Sequence, residues 1–135
     1  MTDHELCAAA LEARRAAYAP YSGCLVGAAL LTADGAVYTG CNVENASYGA
    51  TICAERTAFT KAISEGERCF VAIAIAGGVG DTVDGGFPPC GICRQFMAEF
   101  CASDFSVLVV TDAEHYKAYR LADLLPCAFD ADAMQ

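Results

Sequence analysis

A chain of 135 residues, 56% of them hydrophobic, is long enough for one compact domain over residues 1–135 whose core needs no covalent staples. The formal charge of −9, with only eight Lys and Arg, argues against a polyanionic partner; it disfavours DNA and RNA and favours a small-molecule substrate. No apolar run reaches the roughly 20 residues of a membrane span, and the acidic opening Met1-Thr2-Asp3-His4-Glu5 lacks the pattern of a secretory leader, so no membrane partner and a cytoplasmic location are expected.

In chain order, Thr2 and Glu5 have the spacing of a capping box. Leu6, Ala10, Leu11 and Ala17 then recur at helical spacing until Pro20. After a loop at Tyr21-Ser22-Gly23, residues 25–33 are rich in β-formers, Asp34-Gly35 signals a turn, and residues 36–41 return, which predicts a β-hairpin. An irregular polar stretch over 42–50 precedes a helix predicted over 52–65 and closed by Gly66. Residues 70–76 read as a buried central strand. Residues 77–89, with five glycines and two prolines, read as a long loop of the functional kind. A helix is predicted from Cys90 to about Ala102, strands over 106–111 and 116–120, and a helical turn at 121–125 stopped by Pro126. Helices alternating with strands predict an α/β fold: a three-layer α-β-α sandwich around a mixed sheet of about five strands.

Nine cysteines in a chain this small raise the question of disulfides. The odd count, the absence of a leader and the plentiful Ala, Val, Ile and Leu favour reduced thiols. Cys7, Cys24, Cys41, Cys69, Cys101 and Cys127 each stand alone among apolar neighbours and read as small buried hydrophobes.

The other three are placed differently. Cys90 and Cys93, three apart at a predicted helix start, project from one face near the positive end of the helix dipole, which favours thiolates. That pair alone fits a zinc half-site, a redox dithiol or coincidence. Cys53, near the start of the preceding long helix, offers a third ligand, and Glu55 follows it two residues later. Three protein ligands leave the fourth tetrahedral position of Zn²⁺ open for water, the arrangement of a catalytic site, and a carboxylate beside it can move protons. Arg56 either withdraws charge from a thiolate or is an exposed helix arginine, and both readings stay open here.

The chain resembles the small, tetrameric cytidine deaminases over nearly its whole length. The resemblance rests on Tyr18-Ala19-Pro20-Tyr21-Ser22, Val26-Gly27-Ala28-Ala29, Gly40-Cys41-Asn42-Val43-Glu44-Asn45, Cys53-Ala54-Glu55-Arg56-Thr57-Ala58, Pro89-Cys90-Gly91-Ile92-Cys93-Arg94-Gln95 and Leu124-Leu125-Pro126, in that order. It implies one Zn²⁺ per chain on Cys53, Cys90 and Cys93, with Arg56 behind the ligands, and zinc-activated water attacking C4 of cytosine while Glu55 relays the protons. It also implies a nucleoside substrate, with Asn42 and Glu44 holding the sugar hydroxyls, Val26 and Ala54 in the substrate site, and Tyr48 and Phe129 near it. Phe129 is expected to reach a neighbouring subunit of a homotetramer. The implied role is pyrimidine salvage.

The chain departs from this pattern at Cys24, where the family usually carries a phenylalanine that packs against the base; Cys24 is expected to line the base pocket in its place. That departure leaves a modified cytosine nucleoside as the alternative substrate. A structural zinc module and a dithiol redox protein are the readings from other classes.

Overall fold

The computed structural model describes residues 1–134. The predicted capping box forms: the Glu5 amide donates to the Thr2 hydroxyl and the Thr2 amide to the Glu5 carboxylate, starting α1 over Asp3–Ala13. Helix α1 lays Leu6, Cys7 and Ala10 against Ala72, Ala74, Ala76, Leu108 and Val110 of the sheet. The alanines let the helix sit close. It stops short of the predicted end because Arg14–Ala16 tighten into a 3₁₀ turn that carries Arg14 inward. The Arg14 guanidinium donates to the carbonyls of Leu25, Gly78, Gly80 and Thr82, which fastens the segment 78–82 to the body of the protein.

The hairpin is as expected, with β1 at Cys24–Thr32 and β2 at Val37–Cys41. Strand β3 spans Phe70–Val79, three residues beyond its predicted end, because Gly77, Gly78 and Val79 pair with Val26, Leu25 and Cys24. Glycine-rich sequence here marks close approach by other parts of the chain, and the strand continues through it. Strands β4, Ser106–Val110, and β5, Tyr116–Arg120, complete a sheet of order β2-β1-β3-β4-β5. The β3–β4 pair is parallel and the others antiparallel, so the sheet is mixed as predicted.

Helices α2, Ala54–Ser64, and α3, Gly91–Phe100, cover the face opposite α1, and the short α4, Leu121–Leu124, follows β5. Alternation along the strands divides the core: Ala28, Leu30, Ile73, Ile75, Val107 and Val109 face Phe59, Ala58 and Met97 on the α2–α3 side. Two helix layers around one sheet make the three-layer sandwich. Helix α2 begins two residues later than predicted, because Ile52 is held in an extended bridge with Val43 and Cys53 becomes the N-cap.

All nine cysteines are free. Cys7 is fully buried, as a small hydrophobe would be, but Cys69 and Cys127 are exposed and Cys24, Cys41 and Cys101 lie between, so burial is not their common feature. Among the described residues no helix is long and apolar enough to cross a membrane.

Gly40 sets how closely α2 approaches the hairpin. A Cβ there would lie 2.5 Å from the Ala58 amide nitrogen and 2.6 Å from the Ala54 carbonyl oxygen, both backbone atoms of α2. Gly40→Ala should therefore destabilise the protein by about 1–3 kcal/mol through overpacking. Urea unfolding with an unchanged midpoint would contradict this close contact.

Candidate active site

Two helix starts meet at the end of the sheet. Cys53 caps α2 and Cys90 caps α3, both in extended conformation and neither using its side chain for the cap, so the thiols are free for other partners. Cys93, one turn into α3, is buried at 1% exposure. The three sulfurs lie within 4.8 Å of one another, and Cys53 Sγ is 3.7 Å from Cys90 Sγ. Sulfurs bound tetrahedrally at about 2.3 Å from zinc would sit about 3.8 Å apart, so the thiols are spaced to hold such an ion. No His, Asp or Glu joins the cluster among the described residues. Of the two histidines, His4 bonds the Ala113 carbonyl and His115 bonds Asp112. Three donors and no fourth fit a catalytic site better than a closed structural one.

The surroundings favour the thiolate at Cys53, while the shared hydrogen bond with Cys53 and burial push the Cys93 thiol upward. The Cys53 thiol is lowered to about 5, chiefly by its hydrogen bond with Cys93, against the opposing effect of burial, with Arg56 and Cys90 adding to the lowering. Arg56 Nη2 stands 3.5 Å from Cys53 Sγ, so of the two readings left open by the sequence the geometry favours an arginine turned toward the Cys53 thiol. Its Nε is buried with no hydrogen-bond partner, as suits a guanidinium turned toward sulfurs.

Glu55, in the first turn of α2, is 4% exposed and makes no ion pair among the described residues. Burial, reinforced by the charge on Cys53, raises its carboxyl to about 7, where one group can both accept and donate a proton near neutrality. It opens into a cavity of about 190 Å³ lined by Val26, Asn42, Cys53, Ala54, Glu55, Ile75, Phe87, Pro88 and Cys90. A roomier hollow of about 400 Å³ near Glu12, Arg15 and Lys61 holds neither thiol cluster nor buried carboxylate and lacks the chemistry of a site.

The remaining candidates from the sequence divide. Val26, Asn42 and Ala54 line the cavity. Asn42 is held rigidly: its Oδ1 accepts from the Val26 amide and its Nδ2 donates to the Cys24 carbonyl. Glu44 does not line the cavity. Its carboxylate accepts from the Tyr21 and Ser22 amides and the Ser22 hydroxyl, and the Ser22 hydroxyl does most to hold it below the usual carboxylate range. Two carboxylate oxygens offer about four lone-pair sites, so one acceptor position remains for a ligand hydroxyl.

Tyr48, 75% exposed, packs edge-on against Tyr21, and Phe129 is 60% exposed; neither lines the cavity. Cys24 is also outside the lining. It shares the Val26 face of β1 two residues earlier, and its thiol is turned toward the Ser22 carbonyl, 4.0 Å away. Sequence reasoning missed Ile75, Phe87 and Pro88. Ile75 is indistinguishable in sequence from the rest of a buried strand. Phe87 could have been singled out as the one aromatic in a glycine-rich segment three residues before a ligand cysteine.

Residues 1–109 match the family model described as the cytidine and deoxycytidylate deaminase zinc-binding region. The chain is 50% identical over 125 residues to a cytidine deaminase of Halalkalibacterium halodurans, covering 93% of this chain and 92% of that one. It is 53% identical over 125 residues to a probable cytidine deaminase of Dictyostelium discoideum, covering 92% and 81%. Among solved structures, the cytidine deaminase of Burkholderia pseudomallei superposes with a TM-score of 0.87 at 48% identity, covering 96% of this chain and all of that one. The cytidine deaminase of Mycobacterium tuberculosis gives 0.78 at 42%, covering 96% and 98%. With matches of this extent on a three-thiol cluster and a buried carboxylate, the chain belongs to the cytidine and deoxycytidylate deaminase family.

Proposed function

We propose that this protein is a zinc-dependent cytidine deaminase, which hydrolyses cytidine and deoxycytidine to uridine and deoxyuridine with release of ammonia. The observation that carries this reading is the position of Glu55, buried in the lining of a small cavity together with thiols spaced for a metal. Cys53, Cys90 and Cys93 hold one zinc, which when bound lowers the pKa of water enough to supply a nucleophile near neutral pH. Glu55 takes a proton from the water that adds to C4 of the base and delivers it to N3. It then carries the second proton, from the added hydroxyl, to the amino group, which departs as ammonia. Its elevated pKa suits both halves of this relay.

Arg56 and the α2 and α3 N-termini offset the negative charge of three thiolates on a dication. Asn42 and the open acceptor position of Glu44 grip the sugar hydroxyls. A phosphate at that end would meet the ionised Glu44, which favours nucleosides over nucleotides and nucleic acids.

We read the chain as a single domain acting as a homotetramer in the cytoplasm, in pyrimidine salvage. Exposed Ile92 on α3, with Phe129 and Met134 beyond it, supports association, and Phe129 is the side chain expected to reach a neighbouring site. The test is an ammonia-release assay on cytidine, deoxycytidine and cytosine with zinc quantified in the same samples, and light scattering on the active species. Both nucleosides should be turned over in proportion to zinc, by particles of four chains, with a single-stranded oligonucleotide untouched. Zinc-loaded protein inactive on both nucleosides would reject the reading.

A further inference from the structure

Among the described residues, Phe87 is the only aromatic side chain lining the cavity that holds Glu55. The rest of the apolar lining, Val26, Ala54, Ile75 and Pro88, offers no flat surface to a planar base. The ring is fixed from several sides. It lies on Gly77, where a Cβ would be 2.6 Å from Phe87 Cγ, so the ring occupies the space a side chain at that position would take. Gly77 pairs with Val26 across β1 and β3, and both belong to the sheet face that carries the cavity. Pro88 restricts the backbone of Phe87 to extended conformations, and Pro89 and Cys90 follow directly, tying the ring to a metal-ligand position. The preceding segment is anchored by the Arg14 guanidinium on the carbonyls of Gly78, Gly80 and Thr82. Cys24, on the same face as Val26, stands diagonal to Gly77, so a large ring at position 24 would crowd the patch that Phe87 occupies.

We infer that Phe87 is the aromatic wall of the base pocket, the surface on which the pyrimidine packs and the residue that sets how large a base is accepted. This inference rests on the deaminase reading of the site and adds a specificity residue to it. Small Cys24 and large Phe87 are complementary: one vacates the space that the other fills. Ring stacking on a base is a binding contribution present before and during reaction, so its loss should appear in KM and leave kcat nearly unchanged.

The test compares the zinc-loaded wild type with Phe87→Leu, Phe87→Tyr and Gly77→Ala on cytidine and 5-methylcytidine, with zinc content and thermal midpoint measured alongside. Phe87→Leu should raise KM for cytidine about tenfold with kcat within about twofold, and should narrow the discrimination against 5-methylcytidine. Phe87→Tyr should restore the wild-type KM. Gly77→Ala should reproduce the KM increase with Phe87 intact, because the new methyl displaces the ring. An unchanged KM in Phe87→Leu, or parallel losses of zinc, kcat and thermal midpoint, would overturn the inference while leaving the deaminase reading in place. A zinc-loaded wild type that releases no ammonia from cytidine would remove both.

Discussion

Glu55→Gln should leave zinc content and fold unchanged and lower turnover of cytidine by about a thousandfold or more. The amide fills the same volume but cannot accept a proton from water or return one to the leaving amino group, and a positioned acid–base group is typically worth about 10²–10⁴-fold. Here one residue serves two proton transfers, which places the loss toward the upper end. The substitution has a second, opposite signature. In metal-free protein, burial raises the Glu55 carboxyl from its ordinary 4.5 to about 7, so between those values the folded state binds more protons than the unfolded one. A carboxyl raised in this way contributes stability that is complete below about 4.5 and is lost as pH rises through about 7. Chelator-treated Glu55→Gln lacks this dependence, so its stability relative to wild type should increase by about 2 kcal/mol between pH 5 and pH 8 in urea titrations. Near-normal turnover would remove Glu55 from the mechanism. A flat pH difference would show that the carboxyl is not held neutral by burial.

Cys90→Ala should lose zinc and, with it, activity by more than the roughly 10- to 100-fold typical of damage to groups outside the ligand set. Cys90 is the informative position because its side chain is exposed in the chain, whereas Cys93 is buried and its removal would also leave a cavity. Two remaining thiols cannot satisfy a tetrahedral ion without recruiting water, and the other described residues offer no substitute donor to the cluster. Cys69→Ser is the control: that thiol is exposed and lies outside the cluster, so zinc content and activity should both be retained. Full zinc occupancy in Cys90→Ala, measured by elemental analysis on dialysed protein, would exclude Cys90 from the ligand set.

Arg14 shows how positioning in this fold depends on contacts far apart in sequence. Read locally, it is one of two adjacent arginines near a helix end. In the structure it donates to carbonyls 64, 66 and 68 residues away and fastens the segment 78–82, which leads toward Phe87. The same applies to Gly77, which a local reading assigns to a loop and which the sheet register places opposite Val26, beneath the Phe87 ring.

By itself, the sequence determined whatever depends on short spacing. The Thr2–Glu5 box, the Asp34-Gly35 hairpin, the helix start at Cys90 and the Cys90–Cys93 pair are each written within a few residues, where propensity and side-chain reach act directly, whereas Cys53 joins that pair from 37 residues away. Only tertiary structure decided which side chains share a space. It turned Arg56 to the thiols, bound the Glu44 carboxylate to the 21–22 turn, left Cys24 outside the cavity and placed Phe87 within it. The physical reason is that a cavity is bounded by groups from several elements. Its lining depends on strand register and on how closely helix and loop can approach a glycine, and neither quantity is encoded in any one segment.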